Sequence, residues 1–274
     1  MQPASHTLFP WNPTALRQIT EARHHDPFSV LGRHRQNGRE WVLCFLPNTL
    51  NAWVGEKRLP MQRLGESDFF AHQCRNNDLE QRYPVIRQDA NGREQRQIDP
   101  YSFEPQIGDF DLHLFNEGRH WHAYRFLGAQ PWEVDGVRGV LFATWAPNAE
   151  RISVVGDFND WDGRIHPMRV RGGSGVWELF LPDIDAGAFY KYEIRSRKSG
   201  SVQLKQDPYA RGYESRPRTA CRVEADGRYA WRYQEWLDRR QAHNWLHTPM
   251  PIYEVHPVSW QLRHDRRFRR YRRR

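Results

Sequence analysis

A chain of 274 residues is long enough for two domains of roughly 100–150 residues each. It is 38% hydrophobic with 12 Trp, holds no run near the ~20 apolar residues of a membrane span, and opens without a basic region followed by an apolar core. Its net charge of +8 would ordinarily suggest an anionic partner, but the stretch from Arg263 to Arg274 holds eight Arg and one Asp. Basic character therefore belongs to the tail, and no nucleic acid or membrane is expected as a partner.

In chain order, Pro13-Thr-Ala-Leu-Arg-Gln-Ile-Thr-Glu-Ala22 predicts a short helix starting near Thr14. From Glu40 the pattern turns strand-like, in Trp41–Leu46, Ala52–Val54, Phe69–His72 and Tyr83–Ile86. A second and denser run of short strands covers Val140–Trp145, Arg151–Val155, Val176–Phe180 and Phe189–Ile194. Gly, Pro, Asn and Asp separate these strands, which argues for antiparallel sandwich architecture. After Tyr209 a helix is expected within Tyr229–Arg240, with Trp236 and Arg240 on one side, and then a single short strand over Pro249–His256. The Arg-rich end reads as low-complexity and disordered.

The two strand-rich stretches look like copies of one another. Leu31-Gly32 matches Leu127-Gly128, Pro47-Asn48 matches Pro147-Asn148, and Asp99-Pro-Tyr101 matches Asp207-Pro-Tyr209. The offsets are 96, 100 and 108, an ordered series that fits two diverged copies of one β-module with loop insertions.

Among residues that could carry chemistry, Trp161 stands out. In Gly156-Asp-Phe-Asn-Asp-Trp161 it sits among turn formers, which argues for a ring held at the surface. A flat indole flanked by Asn159 and Asp160 suits a sugar, whose C–H face it can cover while amide and carboxylate bond the hydroxyls. The competing reading folds Trp161 back over the sandwich end. Alternation in Tyr190-Lys-Tyr-Glu-Ile194 turns both tyrosines inward and Lys191 outward, where it could meet a sugar hydroxyl or simply be solvated. Trp177 alternates with Leu179, so core packing competes with a sugar contact for it. Cys44, Cys74 and Cys221 are widely spaced and unpaired by motif, as expected of thiols in a reducing cytoplasm. No phosphate loop, HExxH, metal-ligand cluster or nucleophile elbow is present, so neither cofactor nor metal is expected and no catalytic residue is assigned.

These motifs together resemble the N-terminal part of the bacterial 1,4-α-glucan (glycogen) branching enzymes, of the α-amylase superfamily. The residues that carry the likeness are His25-Asp-Pro-Phe-Ser-Val-Leu-Gly32, Thr144-Trp-Ala-Pro-Asn148, Gly156-Asp-Phe-Asn-Asp-Trp-Asp162 and His166-Pro-Met-Arg169. Gly175–Phe180, Tyr190–Tyr192, Asp207–Tyr209 and Ile252-Tyr-Glu-Val-His256 continue the series. The resemblance implies an all-β fold of two tandem immunoglobulin-like sandwiches, then a helical linker and the truncated start of a (β/α)8 barrel. In this reading residues 1–115 are the N1 domain, 116–225 a family 48 carbohydrate-binding module, 226–262 linker and barrel start, and 263–274 the disordered tail.

It also implies α-glucan (glycogen, maltooligosaccharides) as partner, with Trp161, Asn159, Lys191 and Trp177 as candidate contacts, and a cytoplasmic monomer. In the family the barrel supplies an Asp nucleophile, a Glu acid/base and a helper Asp for a retaining transfer to a 6-hydroxyl. Those groups find no match here, so the expectation is a truncated, inactive branching enzyme, with a stand-alone glycogen-targeting module as the alternative. Pro257-Val258, Tyr233 and the Arg-rich end depart from the family pattern and suggest a frameshift or premature end. Trp231, Trp236, Trp245 and Trp260 are expected to form an exposed patch that a barrel would cover.

Overall fold

The chain is mostly β, with three short helices among the residues described. The structure is a computed structural model, which describes residues 10–75, 78–225, 227 and 232–255. It divides into two compact units, Met1–Gly227 and Arg228–Arg274.

The first unit opens with helix α1 (Pro13–Thr20), where Asn12 Oδ1 accepts from Thr14 N at 2.9 Å and Pro13 occupies the first position. Eight strands follow: β1 (Gly32–Gln36), β2 (Arg39–Phe45), β3 (Asn51–Val54), β4 (Leu59–Pro60), β5 (Gln62–Arg63), β6 (Phe69–Cys74), β7 (Pro84–Gln88) and β8 (Glu94–Ile98). They form two antiparallel sheets, ordered β1-β2-β6-β5 and β4-β3-β7-β8. Between the sheets lie Val42, Cys44, Val54, Phe70, Tyr83 and Val85. The other face of the first sheet, Leu43, Phe45, Phe69 and Ala71, is covered by Trp11, Ile19 of α1, Val30 and Leu31.

The arrangement then repeats. Helix α2 (Asp109–Asn116) leads into β9 (Gly128–Val134), β10 (Val137–Trp145), β11 (Ala149–Gly156), β12 (Arg169–Val170), β13 (Val176–Pro182) and β14 (Phe189–Ser196). Shorter strands β15 (Val202–Lys205), β16 (Gly212–Tyr213) and β17 (Cys221–Arg222) complete it. One sheet runs β12-β13-β10-β9 and the other β11-β14-β17-β16, with β15 beside β14. Strand β10 reads as an unbroken apolar run because both of its faces are buried: Val140 and Phe142 point between the sheets, Leu141 and Ala143 toward Phe103, Leu112 and Phe126. Strand β13 follows suit, with Trp177, Leu179 and Leu181 inside and Val176 and Phe180 outside.

The matches between the copies turn out to be one lock made twice. Tyr83 donates its hydroxyl to Asp99 Oδ2 at 2.7 Å, and Tyr190 donates to Asp207 Oδ2 at 2.6 Å. The second carboxylate oxygen accepts the backbone N–H of Tyr101 (3.0 Å) or of Tyr209 (2.8 Å). Gly32 and Gly128 hold φ of +89° and +98°, and a Cβ on either would lie 2.8 Å from Tyr101 O or 3.1 Å from Tyr209 O. Only glycine fits both the left-handed conformation and the close approach.

The second unit contains α3 (Gln234–Ala242) and a short 3₁₀ turn, Trp245–His247. Arg240 stacks 5.0 Å over the Trp236 ring, as their spacing suggested. The strand expected over Pro249–His256 is absent among its described residues, which have no regular secondary structure. A lone strand has no ladder partner to satisfy its backbone. The Arg-rich tail expected to be disordered, Trp231 and Trp260 lie outside the described residues.

Burial holds Asp99 up to about 6 and Asp207 above the usual carboxylate range, while Tyr83 and Tyr190 are held well above theirs and stay donors. Tyr83→Phe and Tyr190→Phe should each cost about 1–3 kcal/mol, because each leaves a buried carboxylate short of a donor. Urea denaturation at neutral pH measures this, and midpoints equal to that of the unaltered chain would show that the pairs contribute nothing.

Candidate functional site

The loop from Gly156 to Gly163 joins β11 to the return segment that leads into β12. Asp160 and Trp161 both adopt left-handed backbone, at φ of +53° and +59°. Asp enters that region readily; an indole-bearing residue seldom does, and such backbone persists only where the surroundings over-determine it. Here they do. Trp161 N donates to Gly156 O at 3.0 Å, and its Nε1 donates to Asp157 Oδ1 at 2.9 Å. The ring is half-buried and its polar edge is already satisfied from within the loop.

Asn159 has a different role from the ligand contact expected of it. It is 1% exposed; Oδ1 accepts from Gly156 N at 2.9 Å while Nδ2 donates to Val154 O at 2.9 Å and meets His166 Nδ1 at 2.9 Å. Every polar atom of its amide is engaged in shaping the loop. Trp177 is likewise 1% exposed, wedged between the sheets with Nε1 donating to Ala146 O at 3.1 Å. Its alternation with Leu179 fits this core position.

Lys191 faces outward as its alternation predicts, and Nζ donates to Thr219 Oγ1 at 2.7 Å. In the β11–β14 register Lys191 pairs with Val155 and Glu193 with Ser153, so these side chains share the outer face of the sheet. The loop returns across that same face: a Cβ on Gly163 would lie 2.0 Å from Glu193 Oε1. Lys191 and the Trp161 loop therefore stand on one surface, two residues apart along β14 at Glu193.

Sequence reasoning missed the support underneath. Arg151 is 1% exposed, and its guanidinium donates to Glu193 Oε1 (2.7 Å), Ser153 Oγ (2.9 Å) and Ala22 O (2.8 Å). Ser153 Oγ in turn donates to Gly163 O at 2.5 Å, closing the loop from below. The carboxylate partner offsets only part of the cost of burial: desolvation still pulls Arg151 below its ordinary range. Its alternation with Ile152 was the available signal, but it reads equally well as solvent exposure. No group of three or more His, Cys, Asp or Glu side chains is placed to hold a metal among the described residues.

Residues 12–101 match the family profile described as alpha-1,4-glucan branching enzyme GlgB, N-terminal domain. Residues 126–210 match Carbohydrate-binding module 48 (Isoamylase N-terminal domain). Among curated relatives, a 1,4-alpha-glucan branching enzyme GlgB of Methylococcus capsulatus is 51% identical over 245 residues, covering 89% of this chain and 33% of the relative. Similar proteins of Nitrosococcus oceani and Cellvibrio japonicus are 47% and 48% identical, covering 94% and 90% of this chain and 35% of each relative. The chain thus spans about a third of the length of these relatives. A maltotriose complex of a PulA variant from Klebsiella pneumoniae aligns at 15% identity with a TM-score of 0.32, over 72% of this chain and 23% of that one, too loosely to define a shared fold.

His166, buried against Asn159, is held down to about 3 by desolvation and the nearby Arg87 charge. It is neutral in the folded chain, whereas in the unfolded chain it protonates near the ordinary value of about 6.5. Its contribution is therefore complete above pH ~6.5 and is lost as pH falls toward ~3, because the unfolded state gains the proton first. A melting-temperature profile from pH 7.5 to 4 should fall more steeply for the unaltered chain than for His166→Gln. Parallel profiles would show that this imidazole does not resist protonation in the fold.

Proposed function

The chain is built from the N-terminal domain and the carbohydrate-binding module 48 of the 1,4-alpha-glucan branching-enzyme family, and from that premise we propose that it holds α-glucan through the Trp161 loop. The observation that carries this reading is the indole itself. It is held half-buried in a left-handed conformation with its Nε1 tied to Asp157, which leaves its exposed ring surface for the C–H side of a glucose ring. Lys191, on the same outer face, supplies a donor for sugar hydroxyls, and it can exchange its contact with Thr219 for one to the ligand. Asn159 and Trp177 serve this site indirectly, one by shaping the loop and the other by holding the strand behind it.

In the proposed organisation residues 1–115 and 116–225 are two immunoglobulin-like sandwiches, and 226–262 is a linker into the family's (β/α)8 barrel. The partner is glycogen or a maltooligosaccharide, met by a monomer in the cytoplasm, without nucleic acid or membrane. For the whole family protein the activity is the transfer of an α-1,4-glucan segment to a 6-hydroxyl by an Asp nucleophile and a Glu acid/base. No residue of these 274 is assigned to that step, and the role proposed for them is to keep the polymer at hand.

The test is retention on insoluble amylose or glycogen, with branching assayed in parallel. Trp161→Ala should lower retention about tenfold or more and Lys191→Ala by a smaller factor, as expected for loss of a stacking face and of one hydrogen bond. Equal retention of Trp161→Ala and the unaltered chain would move the glucan elsewhere, and branching by the 274-residue chain would overturn the binding-only role.

A further inference from the structure

A cavity of about 390 Å³ lies where the two β-modules meet. One wall comes from the first module, with Phe45, Arg87 and Gln95, and the other from the second, with Asp157, Phe158 and Ile184. A smaller recess of about 110 Å³ continues past Arg87 and Gln95 to Asp160 and Asp162 of the Trp161 loop. The loop thus has two sides, one that presents the indole and one that closes the junction with the preceding module.

The junction cavity has the size of a small-molecule site and the right mixture for a sugar, apolar surface with a few fixed polar groups. Phe158 and Ile184, both only partly buried, offer C–H-facing walls. Arg87 donates from Nε to Gln95 Oε1 at 2.8 Å and from Nη2 to the same oxygen, which fixes the plane of both groups. Its Nη1 and Gln95 Nε2 make no hydrogen bond among the described residues and remain as donors. Desolvation lowers the Arg87 pKa, and the carboxylates of Asp160 in the loop and of Asp89 partly offset that shift. Asp157 is the link: its Oδ1 accepts the Trp161 indole while the residue lines the cavity. Fixed donors from one module therefore face acceptors from the other, and sugar hydroxyls, which donate and accept at once, match such a row.

We infer that the junction is a second α-glucan subsite, continuous with the Trp161 loop, in which Arg87 and Gln95 of the first module grip the units of a chain that run past the indole. The inference rests on the α-glucan reading of that loop and adds a role for the first module. It makes chain length the property that the junction measures: a short oligosaccharide is held at Trp161 alone, a longer one at both places.

Titration of the full chain with maltotriose and with maltoheptaose, followed by calorimetry, tests this. Maltoheptaose should bind the unaltered chain about tenfold more tightly than maltotriose, the equivalent of one or two added hydrogen bonds. Arg87→Ala with Gln95→Ala should erase that advantage and leave maltotriose affinity within about twofold, whereas Trp161→Ala should weaken both ligands. Gln95→Ala alone, at an exposed position, should reduce the advantage in part and guards against a folding defect at Arg87. A length advantage that survives the double substitution overturns the subsite, as does an equal loss for both ligands. Absence of binding by either sugar to the unaltered chain would instead overturn the α-glucan reading, and the subsite with it.

Discussion

Each module is closed by a buried phenol held against a buried carboxylate. Tyr83 meets Asp99, Tyr190 meets Asp207, and in both cases the free carboxylate oxygen takes the N–H two residues on. That turn brings the following Tyr carbonyl against Gly32 or Gly128, which is the point where the first strand of the module begins. Three features thus become mutually dependent: the turn after Asp99 or Asp207, the start of the module's first strand, and the tyrosine side chain packed between the sheets. Burial raises the carboxyls toward neutrality, and the phenol and amide donors offset part of that cost. Interactions of this kind confer uniqueness of packing, since a sheet that slips by one residue turns the tyrosine away from its partner.

The Trp161 loop applies the same logic on the outer face of a sheet. Its backbone is held in a conformation that an indole-bearing residue seldom adopts, and the support comes from Arg151, Ser153 and Glu193 below and Asn159 within. For the proposed glucan site such rigidity is an advantage, because a ring already in place loses little entropy when a flat ligand covers it. Arg151 also donates to Ala22 O, so the segment ahead of the first module braces a loop of the second.

Much of this was legible in the residues, and the failures have physical causes. Duplication showed in Leu-Gly and Asp-Pro-Tyr because those positions carry backbone demands that few residues meet. The partners of Asp99 and Asp207 did not show, since a tyrosine in a strand reads as ordinary core. Trp161 was picked out by its turn-forming neighbours, whereas Asn159 was misjudged for the same reason: an Asn in a loop bonds its own backbone as readily as a ligand. Arg151 was invisible, because alternation marks a charged residue as outward-facing and cannot say that a loop will fold over it. Pro249–His256 has the composition of a strand, yet composition does not provide a neighbouring strand to pair with.

The lock at the ends of each module has a consequence for how the two copies have drifted apart. Gly32 and Asp99 are separated by 67 positions, Gly128 and Asp207 by 79, yet both pairs close with the same geometry. For a flexible chain, the entropic difference between closing loops of those lengths is only about 0.1–0.2 kcal/mol. Insertions between the lock points are therefore nearly free, while changes at the lock points are not. One copy could lengthen its connections while the other kept shorter ones, and neither had to give up the fold to do so.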